Sequence, residues 1–507
     1  MKKKLFLLFG SALLLSSLFI AGKKCAQANV TYDYNVTDAA FGANGSDKDW
    51  DSVAIQGALD KAASSDKVIT VYIPAGDYYL NRWLRIYSNT HLILDANATL
   101  HRGKDILNKN ILQNVDKDGN TGIVGGYNMS QNITIEGGIW DGGDINAATE
   151  AADLIRIDHA ENVTIKNCII KNVYDCHLVE LIAVKNGSIT GCTFSGFRYR
   201  KGKQNNWTFA REAVQLETAW TNNPSDMDDA SSYWAGGTKI DGTACENITI
   251  SDNQIIDMPC GIGQHHFDKA GKYRNNNITI SNNTFTYSAK SKACKTAITC
   301  AGMNNVTIEN NTVSGPYRFA LHIEQADTVS VKSNSISGIT MNGIMVDSGN
   351  GISVDGNTIQ NIKKHGVSIG GGKVTSISDN SITKAKHDGI SIDSGKVTLV
   401  SGNTILNSGK HAISVTGGVV GTGKNKSTGF INNIIKNCKQ NGISISAGTV
   451  SAINGNTISK VGNNGISLIK KAKIYWVVNN KMSKCKSHGL WNGSTGAKTK
   501  TSKNKGA

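Results

Sequence analysis

Residues 210–220 read AREAVQLETAW, an apolar strand phrase that carries two carboxylates. Later copies of the phrase, such as GISIDSG from 389 and NGISISAG from 441, carry serine between their apolar pair where this one carries Gln215, and the second copy carries serine in place of Glu217 as well. The groups able to move protons in this part of the chain are Glu180, Glu212, Glu217, His177 and His322. Around them stand Gln215, His265, Lys295, Arg318, Glu324, Trp220 and Trp234, which could hold a charged or ring-shaped ligand. Crowded carboxylates force one pKa upward, so one group keeps its proton and another stays ionised. Such a pair can protonate a leaving oxygen and activate water. A histidine or lysine could instead take a proton from carbon.

These groups need strands to position them. The chain has 507 residues, 54 glycines, 4 prolines and 7% aromatics, a composition of short strands and turns. The phrase x-N-(T/S)-(I/F/V) places Asn at 253, 283, 311, 334, 357, 380, 403, 433 and 456, mostly 23 residues apart. A unit of that length with short strands and no helix buries its apolar face only by stacking on its neighbours. The expected fold is all-β, a parallel β-helix solenoid, with the recurrent Asn forming an internal ladder. Segment 51–64, DSVAIQGALDKAAS, has helical apolar spacing and predicts a capping helix with Asp51 as N-cap.

Stacking aligns homologous strands by their inward pair: Val179 and Leu181, Val214 and Leu216, Ile298 and Cys300, Leu321 and Ile323, and onward to Ile390 and Ile392. The residue between each pair then points away from the core. That column reads Arg156, Glu180, Gln215, Gly263, Thr299, His322, Met345 and then serines. The expectation is an outward, solvent-washed charged face from about 153 to 324, with carboxylates roughly 5–10 Å apart. Glycines blur the register at 261–265. His365, His387 and His411 open later coils at one turn, so His177 could be an ordinary turn histidine. The insertion 218–243 holds Trp220, Tyr233 and Trp234 and predicts a cleft wall.

The N-terminus has a basic start, an apolar run and Ala26-Gln27-Ala28, which predicts a signal peptide over 1–28. The remainder divides into 29–120, cap and first coils; 121–490, repeat coils; and 491–507, a lysine-rich tail expected to fray. The formal charge is +15, and removing the five leader lysines leaves +10. A basic secreted chain suits an acidic polysaccharide or an anionic cell wall. Nothing points to nucleic acid, or to a membrane after leader cleavage, and a monomer is expected. Nine cysteines remain without C-x-x-C spacing, so neither zinc nor a disulfide framework is predicted.

FGANGSDKDWDSVAIQGALDKA, VYIPAGDYYL, SNTHLILDANATL and ITIEGGIWDGG resemble the start of the pectin-lyase-like superfamily, which includes polygalacturonases, pectate lyases and mannuronan epimerases. The resemblance implies a right-handed β-helix and a carbohydrate substrate. The polygalacturonase motifs are missing, and the epimerase Asp-Pro-His is echoed only by Asp175-Cys176-His177. The expected function is therefore secreted cleavage of a uronate-containing polysaccharide. As a hydrolase, it would use two of Glu180, Glu212 and Glu217. As a lyase, it would use His177, His265 or Lys295 as base, with Arg318 or a bound calcium ion on the uronate. A C5-epimerase and a non-catalytic glycan-binding scaffold are the alternatives.

Overall fold

The computed structural model describes residues 30–107, 109–222, 237–288, 294–495 and 499–506. Trp234, Tyr233 and the expected signal peptide lie outside them. The described residues form 44 strands joined in one continuous parallel sheet, each strand pairing with its equivalent one coil on. One apolar core runs along the axis, from Val36 through Ile165, Ile280 and Ile392 to Met482. The β-branched residues that dominate it suit a pleated surface packed on both flanks.

At one end, the helix Ser52–Leu59 covers the open core with Ile55, Ala58 and Leu59, and the 3-10 turn that follows packs Ala62 against Tyr87 and Val115. Two details differ from the sequence expectation. Val53 is exposed. Asp51 does not cap the helix; its carboxylate accepts from the backbone N–H of Asn44 and Tyr79 and ties the helix start to neighbouring chain.

The asparagine ladder is continuous. Asn253 Nδ2 donates to Asn283 Oδ1 at 2.9 Å, and the same bond repeats through Asn311, Asn334, Asn357, Asn380, Asn403, Asn433, Asn456 and Asn480 to Asn504. Each amide also donates to a backbone carbonyl, as Asn357 does to Val331 at 3.0 Å. A buried polar side chain is tolerated because every coil satisfies the next. Two coils before Asn253 the slot holds Cys192 and Cys168, whose thiols take the same place. The nine described cysteines are free.

The strand alignment holds: Val179 pairs with Val214, Glu180 with Gln215, and Leu181 with Leu216. Gln215 pairs with Gly263, Gly263 with Thr299, and Thr299 with His322, which settles the coil that glycines had blurred. The described residues of the lysine-rich end are part of the stack, contrary to the expected fraying. Leu490–Ser494 and Lys500–Ser502 pair onto the preceding coil, because the repeat, including Asn504 in the ladder, continues through the lysines.

Candidate functional site

Three coils position the cluster. Ile155–Lys166, Val179–Thr190 and Glu212–Glu217 lie side by side and stack Arg156, Glu180 and Gln215 in one column. The entry turns of the same coils supply Asp153, His177 and Glu212, one above the other. Further along the solenoid this turn position holds Asn342, His365, Asp388, His411, Asn441, Asn464 and His488, of which Asn342, Asp388, His411, Asn441 and Asn464 accept from the backbone N–H of the following coil. His177 likewise donates its backbone N–H to Asp153 Oδ1 at 3.1 Å. The turn ladder pairs ionisable groups again at His365 and Asp388, 3.4 Å apart; in these three coils the successive ionisable side chains Asp153, His177 and Glu212 are all buried. His387 does not belong to it, since its backbone aligns with Lys364.

The expected wet face is a buried one. Glu180, Glu212, Gln215 and Glu217 are 3%, 0%, 0% and 1% exposed. Segments inserted between coils roof them over. Thr238 donates to Asp158 and accepts from Arg156 Nη2 at 2.8 Å. His159 bonds the carbonyls of Gly126 and Lys239, drawing two loops across the face. His265 and His266, just after the strand Cys260–Gly263, reach back over the glutamates.

The geometry is a relay. Asp153 Oδ1 accepts from His177 Nδ1 at 3.1 Å and from Cys176 Sγ at 2.9 Å. Arg156 Nη1 lies 3.6 Å from Glu180 Oε2, and Glu180 Oε1 lies 3.8 Å from His177 Nδ1. His177 Nε2 faces Glu212 Oε2 at 3.6 Å, and Glu212 Oε2 meets His265 Nδ1 at 3.0 Å. The ring of His265 is 27% exposed, so the chain of contacts runs from a sealed interior to the surface. A second branch joins Gln215 to Glu217, and Glu217 to His266 at 3.1 Å, with Trp220 packed on the His266 ring at 5.0 Å. His177 Nε2 and Glu212 Oε1 are buried with no hydrogen-bond partner among the described residues.

Charge is sorted within the cluster. Burial and the neighbouring Asp153 carboxylate hold Glu180 well above the usual carboxyl range, so it keeps a proton. Burial would raise Glu212 too, but His265, bonded to it at 3.0 Å, and His177, 3.6 Å away, bring it well below that range. Asp153 is likewise lowered, burial being outweighed by its bond to His177. His177 rises well above the ordinary histidine value: burial opposes, and the Asp153 bond prevails. Burial pushes the Cys176 thiol up to about 12, which makes it a donor and not a nucleophile. The result is a neutral acid, an imidazolium and two carboxylates within a few ångströms, the environment-split pattern used for acid–base work.

Other expected site residues stand apart. His322 is three coils from Gln215, about 14 Å by the strand spacing, and binds Asp347 Oδ2 at 2.6 Å. Lys295 is half-buried and its charge acts on Glu212. Arg318 lies over the Trp207 ring at 4.6 Å, and Glu324 sits half-buried in the coil after Ala301. Asp153, Arg156, Cys176, His266 and Trp207 were not among the expected site residues. The adjacent pair His265-His266 and the tryptophan in the insertion before Arg211 were the available signals. Donor atoms of Asp153, Cys176 and His177, and of His177, Glu212 and His265, lie within 4.8 Å of one another. Their nitrogen and sulfur content does not suit calcium, which takes six to eight oxygens.

These features define a parallel β-helix with an ionic cluster under one wall. The right-handed β-helix region matches at 239–392, 270–423 and 342–505, more than half of the sequence, and the chain belongs to that family. Residues 34–223 match the rhamnogalacturonase A/epimerase, pectate lyase-like family. The chain is 27% identical over 263 residues to plasmin and fibronectin-binding protein A of Streptococcus pneumoniae, covering 48% of this chain and 35% of that protein. It thus spans about a third of the length of the curated relative it matches. The crystal structure of PfbA, a surface adhesin of Streptococcus pneumoniae, superposes with a TM-score of 0.60 at 20% identity, covering 77% of this chain and 93% of that one. The A-module of a mannuronan C-5 epimerase from Azotobacter vinelandii gives 0.43 at 15% identity over 93% and 99%. These structural likenesses are likenesses of fold. No helix among the described residues is long and apolar enough to cross a membrane.

Proposed function

We propose that the protein is an extracellular enzyme acting on a uronate-containing polysaccharide by removing the proton at C5. The observation that carries this is the contact between His265, at the surface, and the sealed, ionised Glu212. When Glu212 accepts the Nδ1–H of neutral His265, the Nε2 lone pair is left free to act as base. The imidazolium that forms is stabilised by the same carboxylate. Lys295 and Arg318, on the next two coils, would neutralise the uronate carboxylate and so stabilise charge developing at C5. The electron pair left at C5 can form the C4–C5 double bond as the C4–O4 bond breaks, with the leaving oxygen protonated from water. It can also be reprotonated from the opposite face, which gives the C5 epimer. The hydrolytic route is less well served, because Glu180, Glu212 and Glu217 are all sealed from a glycosidic oxygen.

Incubation with polygalacturonate, alginate and glycosaminoglycan uronates tests this by absorbance near the unsaturated-uronate band and by solvent deuterium at C5. Either signal, abolished in His265→Ala, is expected. Reducing ends formed without either signal would overturn the proton-abstraction route.

A second reading follows from the sequence relative. The match to a plasmin and fibronectin-binding protein favours a surface-binding scaffold. It predicts that plasmin and fibronectin are retained by the immobilised chain, with no product from any uronate.

A further inference from the structure

Charge is segregated along the solenoid. Residues 29–393 hold all 39 acidic side chains and 32 basic ones, a net of −7. Residues 394–507 hold 17 lysines and no Asp, Glu or Arg, a net of +17. The overall charge of the chain conceals this division.

The lysines are also ordered in space. One turn of the coil recurs as 361–364, 384–387, 407–410, 437–440, 460–463 and 484–487, and these six turns contain nine lysines. Backbone hydrogen bonds hold the turns in register: Lys364 N–H to Met341 O, His387 to Lys364, Lys410 to His387, and Gln440 to Lys410, at 2.9–3.1 Å. Lys363, Lys386, Lys410, Lys439, Lys460 and Lys486, one per turn, are all exposed, and none is in an ion pair among the described residues. The same register runs backward through Met341 to Arg318 and Lys295, whose backbones are joined by Arg318 N–H to Lys295 O at 3.0 Å. The cationic edge therefore ends beside Glu212 and His265.

We infer that this edge is a track for one strand of a linear polyuronate, laid along the solenoid axis and delivered to the candidate site. The inference rests on the proposed substrate class for its ligand but not on any reaction. Successive turns rise by about 4.8 Å, so the six turns from Lys363 to Lys486 span roughly 24 Å. A 1,4-linked polyuronate offers one carboxylate per sugar ring, a spacing comparable with that rise. Duplex DNA, with one negative charge per about 1.7 Å, is several times denser than the track. The six turns themselves hold lysine and no arginine. Lysine supplies point charges on flexible stems, without the fork that fixes a planar anion. A chain could then slide along the track and stay charge-neutralised throughout.

The test uses the mature chain and a variant with Lys363, Lys386, Lys410, Lys439, Lys460 and Lys486 each changed to Gln. All six are exposed, so the variant should fold, which the far-ultraviolet spectrum and melting curve would check. Binding of size-fractionated oligogalacturonates is measured at several salt concentrations. Affinity should rise with length until the oligomer spans the six turns. The variant should bind long oligomers at least tenfold more weakly, with a shallower salt dependence, and bind trimers as the parent does. Unchanged binding of long oligomers by the variant would overturn the track. So would equal or tighter binding of a poly(glycerol phosphate), or of duplex DNA, at the same salt. If no uronate is ever converted but length-dependent binding persists and is lost in the variant, the track stands while the enzymatic proposal falls.

Discussion

His177 shows how one residue changes meaning with its neighbours. At the same turn, His365, His411 and His488 serve a ladder, while His177 joins the ladder to Asp153 and Glu212. Its raised pKa has a consequence for stability. A histidine held charged by the fold contributes fully below its unfolded value of about 6.5, and the contribution is lost as pH rises through the folded value. Glu180 adds in the same direction: its neutral form is favoured in the fold, and that advantage is lost as pH rises from about 4.3. Asp153 and Glu212 act oppositely, contributing above the ordinary carboxyl range and losing that contribution as acid protonates them. The urea midpoint should therefore fall from pH 6.5 toward 9, and His177→Gln should flatten that fall. A parent midpoint that is level over this range would contradict the assignment. Glu212→Gln should lower turnover by about 10²-fold or more through loss of the base's partner. An equal loss in His265→Ala, with little further loss in the double variant and an unchanged urea midpoint, would tie the effect to the Glu212–His265 contact and not to general damage.

At the scale of the element, the coil is held by side chains that count as much as its apolar faces. Asn357 accepts from both the backbone and the side chain of Asn334 and donates to Val331, Asp355 and Asn380. Asn357→Ala strands buried donors on Asn334 and should cost about 3 kcal/mol, read from urea unfolding. A loss below about 1 kcal/mol would mean that water replaces the ladder. This ladder was legible in the sequence because a coil is a local object: one Asn every 23 residues with β-branched neighbours specifies its own place. The pairing of Val179 with Val214 was legible for the same reason. The burial of Glu180 and Glu217 was not, because the covering residues Thr238, His265 and His266 come from segments outside the repeat, and the period says nothing about where they land. His322 shows the complementary limit. Its column was correctly identified, but a column extends along the whole solenoid, and membership in it does not bring two residues together.

For the whole molecule, the governing fact is the uneven distribution of charge along a rod. Seventeen lysines with no acidic partner repel one another, and salt screens that repulsion over about 10 Å at 0.1 M. Because coils in a stack are stabilised mainly by their neighbours, the C-terminal coils can loosen separately from the rest. Amide exchange in 394–506 should therefore slow as sodium chloride is raised from 20 to 300 mM, while exchange near Ile165 and Ile280 changes little. Equal salt response at both ends would show that the segregation has no energetic effect. The same unevenness connects the two proposals, since the cationic edge leads to the place where His265 emerges from the buried relay. The most direct measurement is solvent deuterium at C5, together with unsaturated product, after incubation of a polyuronate with the parent chain and with His265→Ala. Deuterium or unsaturation that appears with the parent and vanishes with the variant is the predicted result; no incorporation and no unsaturation on any uronate that the protein binds would contradict it.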